Sequence, residues 1–125
     1  MEFASFCPES CPPKEAKPIS GELFRFAKQL PIGSNDFLTY YEIKGIDAFE
    51  PTELCRACGL SVYLAEEDIR AAMKASPYLR NRKVIKARVG KDWGVVQPTG
   101  SKSTGHHTWW VALGKNPELV FKVIP

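Results

Sequence analysis

The chain has 125 residues, of which 44% are hydrophobic, 25% charged and 11% aromatic. This composition excludes a disordered chain, and the length predicts a single domain over residues 1–125 with one core. The formal charge is +3, but it is unevenly distributed. Residues 1–68 hold 12 acidic and six basic side chains, whereas residues 69–125 hold two acidic and 11 basic side chains. This division suggests either an anionic partner or mutual neutralisation of the two halves.

The N-terminal residues favour a cytoplasmic protein. Glu2 stands where a secretory signal would carry a base, and prolines interrupt any apolar stretch that follows. No apolar run approaches the roughly 20 residues that a membrane-spanning helix needs, so no membrane partner is expected. In a reducing compartment, four cysteines in two close pairs indicate a metal site more readily than disulfides.

The first predicted elements are an irregular arm and two strands. Residues 1–20 contain four of the ten prolines and show no sustained periodicity, so they predict the arm. Residues 23–27 alternate aromatic positions with other side chains, which predicts a first strand. Residues 37–43 are aromatic and β-branched enough to predict a second strand, although Asp36 is also suited to cap a short helical turn.

The middle of the chain predicts a strand followed by the main helix. Residues 59–64 are rich in apolar and β-branched side chains, which is typical of a strand. Residues 65–75 then place apolar side chains on one stripe, with Glu66 and Arg70 spaced for an ion pair on another side. Pro77 ends this helix.

Four further strands are predicted in the second half, at residues 83–89, 93–97, 108–113 and 119–124. The short segment Gly90–Asp92 predicts a hairpin between the first two of them. The expected fold class is therefore α+β: a mostly antiparallel sheet or half-open barrel, one main helix at about 65–75, and an irregular N-terminal arm.

The cysteine spacing predicts a structural zinc site. Cys55 and Cys58 form a C-x-x-C motif followed by Gly59, as in a zinc knuckle, where the glycine permits a tight turn. Cys7 and Cys11 form a C-x-x-x-C turn, and together the four thiolates would pin the proline-rich arm to the body. Such a closed site is structural and not catalytic. The alternatives are a buried thiol pair, two disulfides in an oxidising setting, or a redox C-x-x-C motif.

The segment from residue 98 to 108 combines hydroxyls, glycines and two imidazoles. Backbone N–H groups, hydroxyls and Lys102 are suited to hold a phosphate, although the spacing is not that of a P-loop. His106 and His107 are candidate general acids or bases near neutral pH, and neighbours on a strand face opposite sides, so one of them would face a given site. An ordinary loop, or histidines joining the C-x-x-C pair at a metal, are the alternatives.

Six basic side chains crowd into twelve residues of the second half. On a strand Lys86 and Arg88 share a face that Arg82 can continue. Tyr78 and Trp93 lie near enough in sequence to offer stacking surfaces for bases. This predicts contacts to RNA or another polyanion, with an acidic protein partner or internal neutralisation as alternatives. Arg25, among aromatics on the first strand, is either a half-buried guanidinium or an anion anchor. The full basic set is Arg80, Arg82, Lys83, Lys86, Arg88 and Lys91.

The strand at residues 23–26, together with the later hydroxyl-rich loop, resembles small NAD-using ADP-ribosyl-transferring domains. The resemblance extends over these few residues. It assigns no site residue, because no catalytic glutamate can be identified.

Three functions compete on this evidence. The first is a zinc-stabilised binding module for RNA or another polyanion. The second is a small enzyme acting on a phosphate-bearing, nucleotide-like substrate, with His106 or His107 as acid–base group and Lys102 or Arg25 on the phosphate. The third is a protein–protein adaptor or regulator that recognises a complementary charge. Convergence of the bases, the histidine loop and Arg25 on one cleft favours the enzyme, whereas a flat basic sheet favours binding.

Overall fold

The computed structural model describes residues 1–28, 30–100 and 104–125. Its centre is a seven-stranded sheet in which every pairing is antiparallel. The strands are β1 (Lys17–Pro18), β2 (Gly21–Ala27), β3 (Leu60–Tyr63), β4 (Lys83–Val89), β5 (Gly94–Pro98), β6 (His106–Val111) and β7 (Lys122–Ile124). Their order in the sheet is β1-β5-β6-β3-β2-β4-β7.

The helices are few and short. They are α1 (Tyr40–Lys44), α2 (Leu54–Ala57) and α3 (Glu66–Ala75), joined to the strands by loops and 3-10 turns. The longest, α3, occupies the region in which the sequence predicts a helix, and Ile69 is its buried anchor. The protein is thus a small mixed α/β fold. Within the described residues, no helix is both long enough and apolar enough to cross a membrane.

The prediction of a strand at residues 37–43 is wrong. This region forms a 3-10 turn followed by α1. The Asp36 carboxylate accepts a backbone N–H three residues earlier, and the Thr39 hydroxyl accepts the backbone N–H of Glu42 at 3.1 Å. Glu42 in turn accepts the backbone N–H of Thr39, which completes a capping box. Local side-chain bonds therefore outweigh the strand propensity of the aromatic residues.

The predicted hairpin at Gly90–Asp92 is also wrong. β4 pairs with β2 and β7, whereas β5 lies across the sheet between β6 and β1. The hairpin that forms joins β5 to β6, with Pro98 opposite His107. The strand order is an open row, and no pairing within the described residues joins β1 to β7 to close a barrel.

Both faces of the sheet are covered. The main core lies on one face and includes Leu23, Ile85 and Trp109, none of which is exposed. A smaller cluster on the other face joins Phe24 and neighbouring side chains to Ile69 of α3. This division follows from the alternation of side chains along β2 and β4, because successive residues point to opposite faces.

Candidate functional site

The sheet opens between its two central strands. β2 pairs with β4 along its whole length, but with β3 it pairs at a single position, Phe24 opposite Tyr63. Elsewhere in the described residues β2 pairs only with β4, and β3 pairs only with β6. The main-chain groups that face the opening therefore need partners other than a neighbouring strand.

Arg25 supplies such a partner. Its Nη1 donates to the Ser61 carbonyl oxygen at 2.6 Å and its Nη2 to the Asp36 carbonyl oxygen at 2.7 Å. The guanidinium carbon lies 5.3 Å from the centre of the Phe37 ring, and Nε is buried with no hydrogen-bond partner in the described residues. Burial lowers the pKa of Arg25 to about 10, against the opposing effect of Asp36 and Tyr40, so the group stays charged at neutral pH. Arg25 is therefore a half-buried, bonded guanidinium at the edge of the opening.

The opening leads into a cleft of about 340 Å³. Three of its lining residues are basic and none is acidic, which favours an anionic ligand. A smaller hollow of about 140 Å³ adjoins it, since Arg25, Tyr40 and Ser61 line both. The residues that line the larger cleft are Arg25, Phe26, Lys28, Tyr40, Ser61, Tyr63, Tyr78, Leu79, Arg82 and His106.

Aromatic rings form much of the cleft wall. The Tyr63 ring packs edge-on against Phe26 at 6.3 Å and against His106 at 5.6 Å between ring centres. Tyr40 and Tyr78 are 57% and 73% exposed. Exposed tyrosine rings beside basic side chains are surfaces on which planar bases stack. The cleft therefore combines a place for negative charge with a place for a planar ring.

His106 is held in the cleft by a chain of hydroxyls. Its Nδ1 lies 3.0 Å from the Thr99 hydroxyl, which lies 2.8 Å from the hydroxyl of the buried Thr108. Burial lowers the pKa of His106 and the nearby Arg56 lowers it further, so the imidazole is neutral at pH 7. Nε2 has no hydrogen-bond partner in the part of the chain that the structure describes.

His107 belongs to the opposite face of β6. It pairs with Val62, and its Nδ1 lies 2.8 Å from the Gly105 carbonyl oxygen. Of the two candidate histidines, His106 lines the cleft and His107 does not. The phosphate role predicted for Lys102 falls at residues 101–103, which lie outside the described residues.

The basic residues between positions 80 and 91 do not lie together in the folded chain. Arg82 lines the cleft. Lys86 and Arg88 share one face of β4, as predicted, and Lys86 forms an ion pair with Glu22 at 3.1 Å. An acid of the first half thus neutralises a base of the second. The remaining bases are exposed outside the cleft: Arg80, Lys83 and Lys91.

The four cysteines form two pairs between the arm and α2. Cys11 and Cys55 are joined in a disulfide, with Cα atoms 5.5 Å apart, and the free thiols of Cys7 and Cys58 lie close enough to interact with each other. As the chain stands, the described residues contain no group of three or more His, Cys, Asp or Glu side chains placed to hold a metal. Zinc binding therefore stays a prediction, and the arm is attached through the disulfide.

The two free thiols are poor nucleophiles in this setting. Burial, followed by the contact with Cys58, raises the pKa of Cys7 to about 12, and burial also raises the pKa of Cys58. Both are protonated near neutral pH, which argues against the redox alternative for the C-x-x-C motif.

Gly59 is required for space and not for an unusual backbone conformation. Its φ lies outside the left-handed region, contrary to the expectation of a tight glycine turn. A Cβ at this position would overlap the Thr108 side chain and lie 3.2 Å from the Trp109 carbonyl oxygen. The glycine therefore lets α2 lead directly into β3 against β6.

Sequence reasoning identified part of the cleft and missed the rest. It named Arg25, Arg82 and His106, and it named Tyr78 as a stacking surface. It did not identify Lys28, Tyr40, Ser61 or Tyr63, which also line the cleft. The alternation that places Ser61 and Tyr63 on one face of β3 was a usable signal.

Comparisons of this chain with protein families, with curated proteins and with solved structures found no match. The inference of function therefore depends on the residues that line the cleft. Their chemistry is cationic, aromatic and hydroxylic, with one imidazole.

Proposed function

We propose that the cleft binds a small phosphate-bearing, nucleotide-like ligand and that His106 is its acid–base group. The supporting observation is that Arg25, Arg82 and Lys28 line one cleft together with three tyrosines and no carboxylate. Of the six bases crowded in the second half, Arg82 lines this cleft and the other five lie outside it. The meeting of Arg82 with Arg25 and His106 is the part of the expected convergence that favours a small enzyme.

The charged side chains give the cleft its preference for phosphate. Lys28 and Arg82 form no side-chain ion pair within the described residues, so both charges are available to a ligand. Arg25 is fixed by its two carbonyl partners and contributes a rigid charge at the inner end. Arginine and lysine bind phosphate oxygens through short, charge-assisted hydrogen bonds.

The rings and the volume favour a ligand with a planar base. Tyr78 and Tyr40 present exposed rings, while Phe26 and Tyr63 form a more enclosed wall. A volume of about 340 Å³ is in the range of small-molecule sites. The adjoining hollow adds space for a second part of the same ligand.

The role of His106 follows from its neutral form. In the tautomer whose Nδ1–H donates to the Thr99 hydroxyl, the neutral imidazole accepts a proton at Nε2, while the Thr99 and Thr108 hydroxyls hold the ring in place. Because the pKa of His106 is lowered, it stays a base to lower pH than an ordinary histidine does.

Calorimetric titration of the full chain at low salt tests this proposal. The ligands are inorganic phosphate, AMP, ADP-ribose and NAD, and we expect the nucleotides to bind more tightly than phosphate. Arg82→Gln is expected to weaken nucleotide binding about tenfold, or about 1.4 kcal/mol. Arg88→Gln removes the same charge outside the cleft and is the matched control. Equal loss in both variants, or no nucleotide binding at millimolar concentration, overturns the proposal.

His106→Ala then separates binding from chemistry. With a nucleotide that is turned over, this variant is expected to keep its affinity and to lose the reaction. An unchanged rate would remove His106 as the acid–base group while leaving the binding site in place.

A second candidate is a polyanion such as RNA on the part of β4 and β7 that carries Lys86, Arg88 and Lys122. Lys86 lies opposite Lys122 in the register, and Arg88 is exposed on the same face. The ion pair with Glu22 weakens this candidate, because it neutralises one of these charges. Fluorescence anisotropy with single-stranded RNA distinguishes it: binding that falls steeply with salt and is abolished in Lys122→Glu with Arg88→Glu supports it.

A further inference from the structure

We infer that Cys7, Cys11, Cys55 and Cys58 together form one zinc site when the Cys11–Cys55 disulfide is reduced. The inference is independent of the ligand cleft, because none of these residues lines it. It concerns a second state of the chain and not the disulfide state described above.

Two cysteine pairs connect the same two segments. Cys11 of the arm is bonded to Cys55 of α2, and Cys7 of the arm contacts Cys58 at the end of α2. Cys55 and Cys58 lie in one helical turn, since the Cys58 backbone N–H donates to the Cys55 carbonyl oxygen at 3.2 Å. Reduction of the disulfide would leave four thiols on these two segments, with the cysteines four positions apart in the arm and three positions apart at α2. This is the donor set and spacing of a tetrahedral zinc site.

Hydrogen bonds hold the main chain of both cysteine segments in place. The Cys11 backbone N–H donates to the Pro8 carbonyl oxygen at 2.9 Å, which closes a turn in the arm. On the other side, the Trp110 indole Nε1 donates to the Cys55 carbonyl oxygen at 2.8 Å. Trp110 is buried in the sheet, so α2 is anchored independently of the disulfide. Such bonds around the ligands hold a metal site in shape.

The chemistry is a reduction followed by an exchange of protons for metal. A dithiol transfers two electrons and two protons to the Cys11–Cys55 bond and closes into its own disulfide. One Zn²⁺ then displaces the four thiol protons and forms four Zn–S bonds, with no change in oxidation state. Reduction therefore exchanges one attachment of the arm for another.

This exchange affects more than the arm. Phe6, next to Cys7, stacks on Tyr41 of α1 with ring centres 5.0 Å apart. The neighbouring Tyr40 lines the ligand cleft. An arm that is detached by reduction without zinc is expected to loosen its contact with α1, and zinc is expected to restore it.

Metal titration of the full wild-type chain tests the inference. The protein is reduced with dithiothreitol, desalted under argon and titrated with Co²⁺, which reports tetrahedral thiolate ligation in its absorption spectrum. We expect saturation at one Co²⁺ per chain with release of about four protons, sulfur-to-cobalt charge-transfer bands, and displacement of the bound Co²⁺ by one Zn²⁺. The oxidised chain is expected to show no such spectrum.

Single Cys→Ser variants identify the ligands. Each of the four is expected to lose the four-thiolate spectrum, whereas His107→Ala is the matched control and keeps it. A reduced wild-type chain that binds less than one metal, or a Cys7→Ser or Cys11→Ser variant with the wild-type spectrum, overturns the inference. A reduced chain that unfolds and does not regain its circular dichroism with zinc also overturns it.

Discussion

β2 is bound very differently by its two neighbours in the sheet. With β4 it pairs along its whole length, and the paired side chains contribute to the main core. With β3 it pairs at one position, and the opening is bridged by Arg25 through the Ser61 carbonyl oxygen. The β4 side of β2 therefore provides stability, and the β3 side provides a cleft. The difference arises because main-chain groups on the β4 side pair with a neighbouring strand, whereas the opening on the β3 side is bridged by a side chain.

The largest expected effect comes from the paired side. Leu23→Ala removes a fully buried side chain of β2 opposite Ala87, so it is expected to reduce the free energy of unfolding by about 3 kcal/mol. Urea unfolding measures this loss, and Leu113→Ala, at a 59% exposed position, serves as the control. A loss below about 1 kcal/mol would mean that the β2–β4 side does not carry the core.

The next effect comes from the open side. Arg25→Met keeps most of the side-chain volume but leaves the Ser61 and Asp36 carbonyl oxygens without this donor. We expect a loss of about 2 kcal/mol in unfolding free energy together with loss of nucleotide binding. Arg25→Lys retains the charge but cannot reproduce both hydrogen bonds, so its stability should lie between that of the wild type and that of Arg25→Met. An Arg25→Met variant as stable as the wild type would show that Arg25 does not hold the opening.

The pH dependence of stability probes His106 within the cleft. Its pKa is lowered below the ordinary 6.5 in the folded chain, so the unfolded chain takes up this proton first as the pH falls. The contribution of neutral His106 is fully present above pH 6.5 and is lost as the pH falls from there through its lowered pKa. Wild type and His106→Gln, compared by urea unfolding from pH 8 to 5, should therefore diverge below pH 6.5. Parallel curves would contradict this assignment.

The smallest effect on stability is expected for the Lys86–Glu22 ion pair between β4 and β2. Glu22→Gln removes the partner of Lys86, but both side chains are more than a third exposed, so solvent screens the pair. We expect a change of about 0.5 kcal/mol or less, which decreases further in high salt. The measurement is urea unfolding at two salt concentrations, and a loss above about 1 kcal/mol would indicate a stronger role for this pair.

Regular alternation is what made most strands predictable. β4 occupies residues 83–89, as predicted, because its apolar and basic side chains alternate from Ile85 to Val89. The strand prediction for residues 37–43 is wrong because side-chain caps at Asp36 and Thr39 determine the structure of this region, and the strand propensity of its residues does not. The crossing of β5 to the far side of the sheet could not be predicted, because no local pattern encodes which distant strand it meets.

Some residues that line the candidate cleft can be picked out of the sequence because they are unusual for their element. Arg25 stood out as a charge within an aromatic strand, and His106 stood out in a loop rich in hydroxyls. Tyr40 and Tyr63 are ordinary residues in sequence, and they reach the cleft because β2 and β3 separate. A gap between strands is a property of the tertiary fold, so the sequence pattern alone does not reveal it.

The two outer strands of the sheet bear on how the protein behaves at high concentration. β1 has two residues, one of which is Pro18 with no N–H to offer. β7 has three residues, begins at Lys122 and is followed by Pro125. Short edges with proline and charge give another chain little main chain to pair with. Aggregation by edge-to-edge addition of strands is thereby disfavoured, even though the sheet itself is wide.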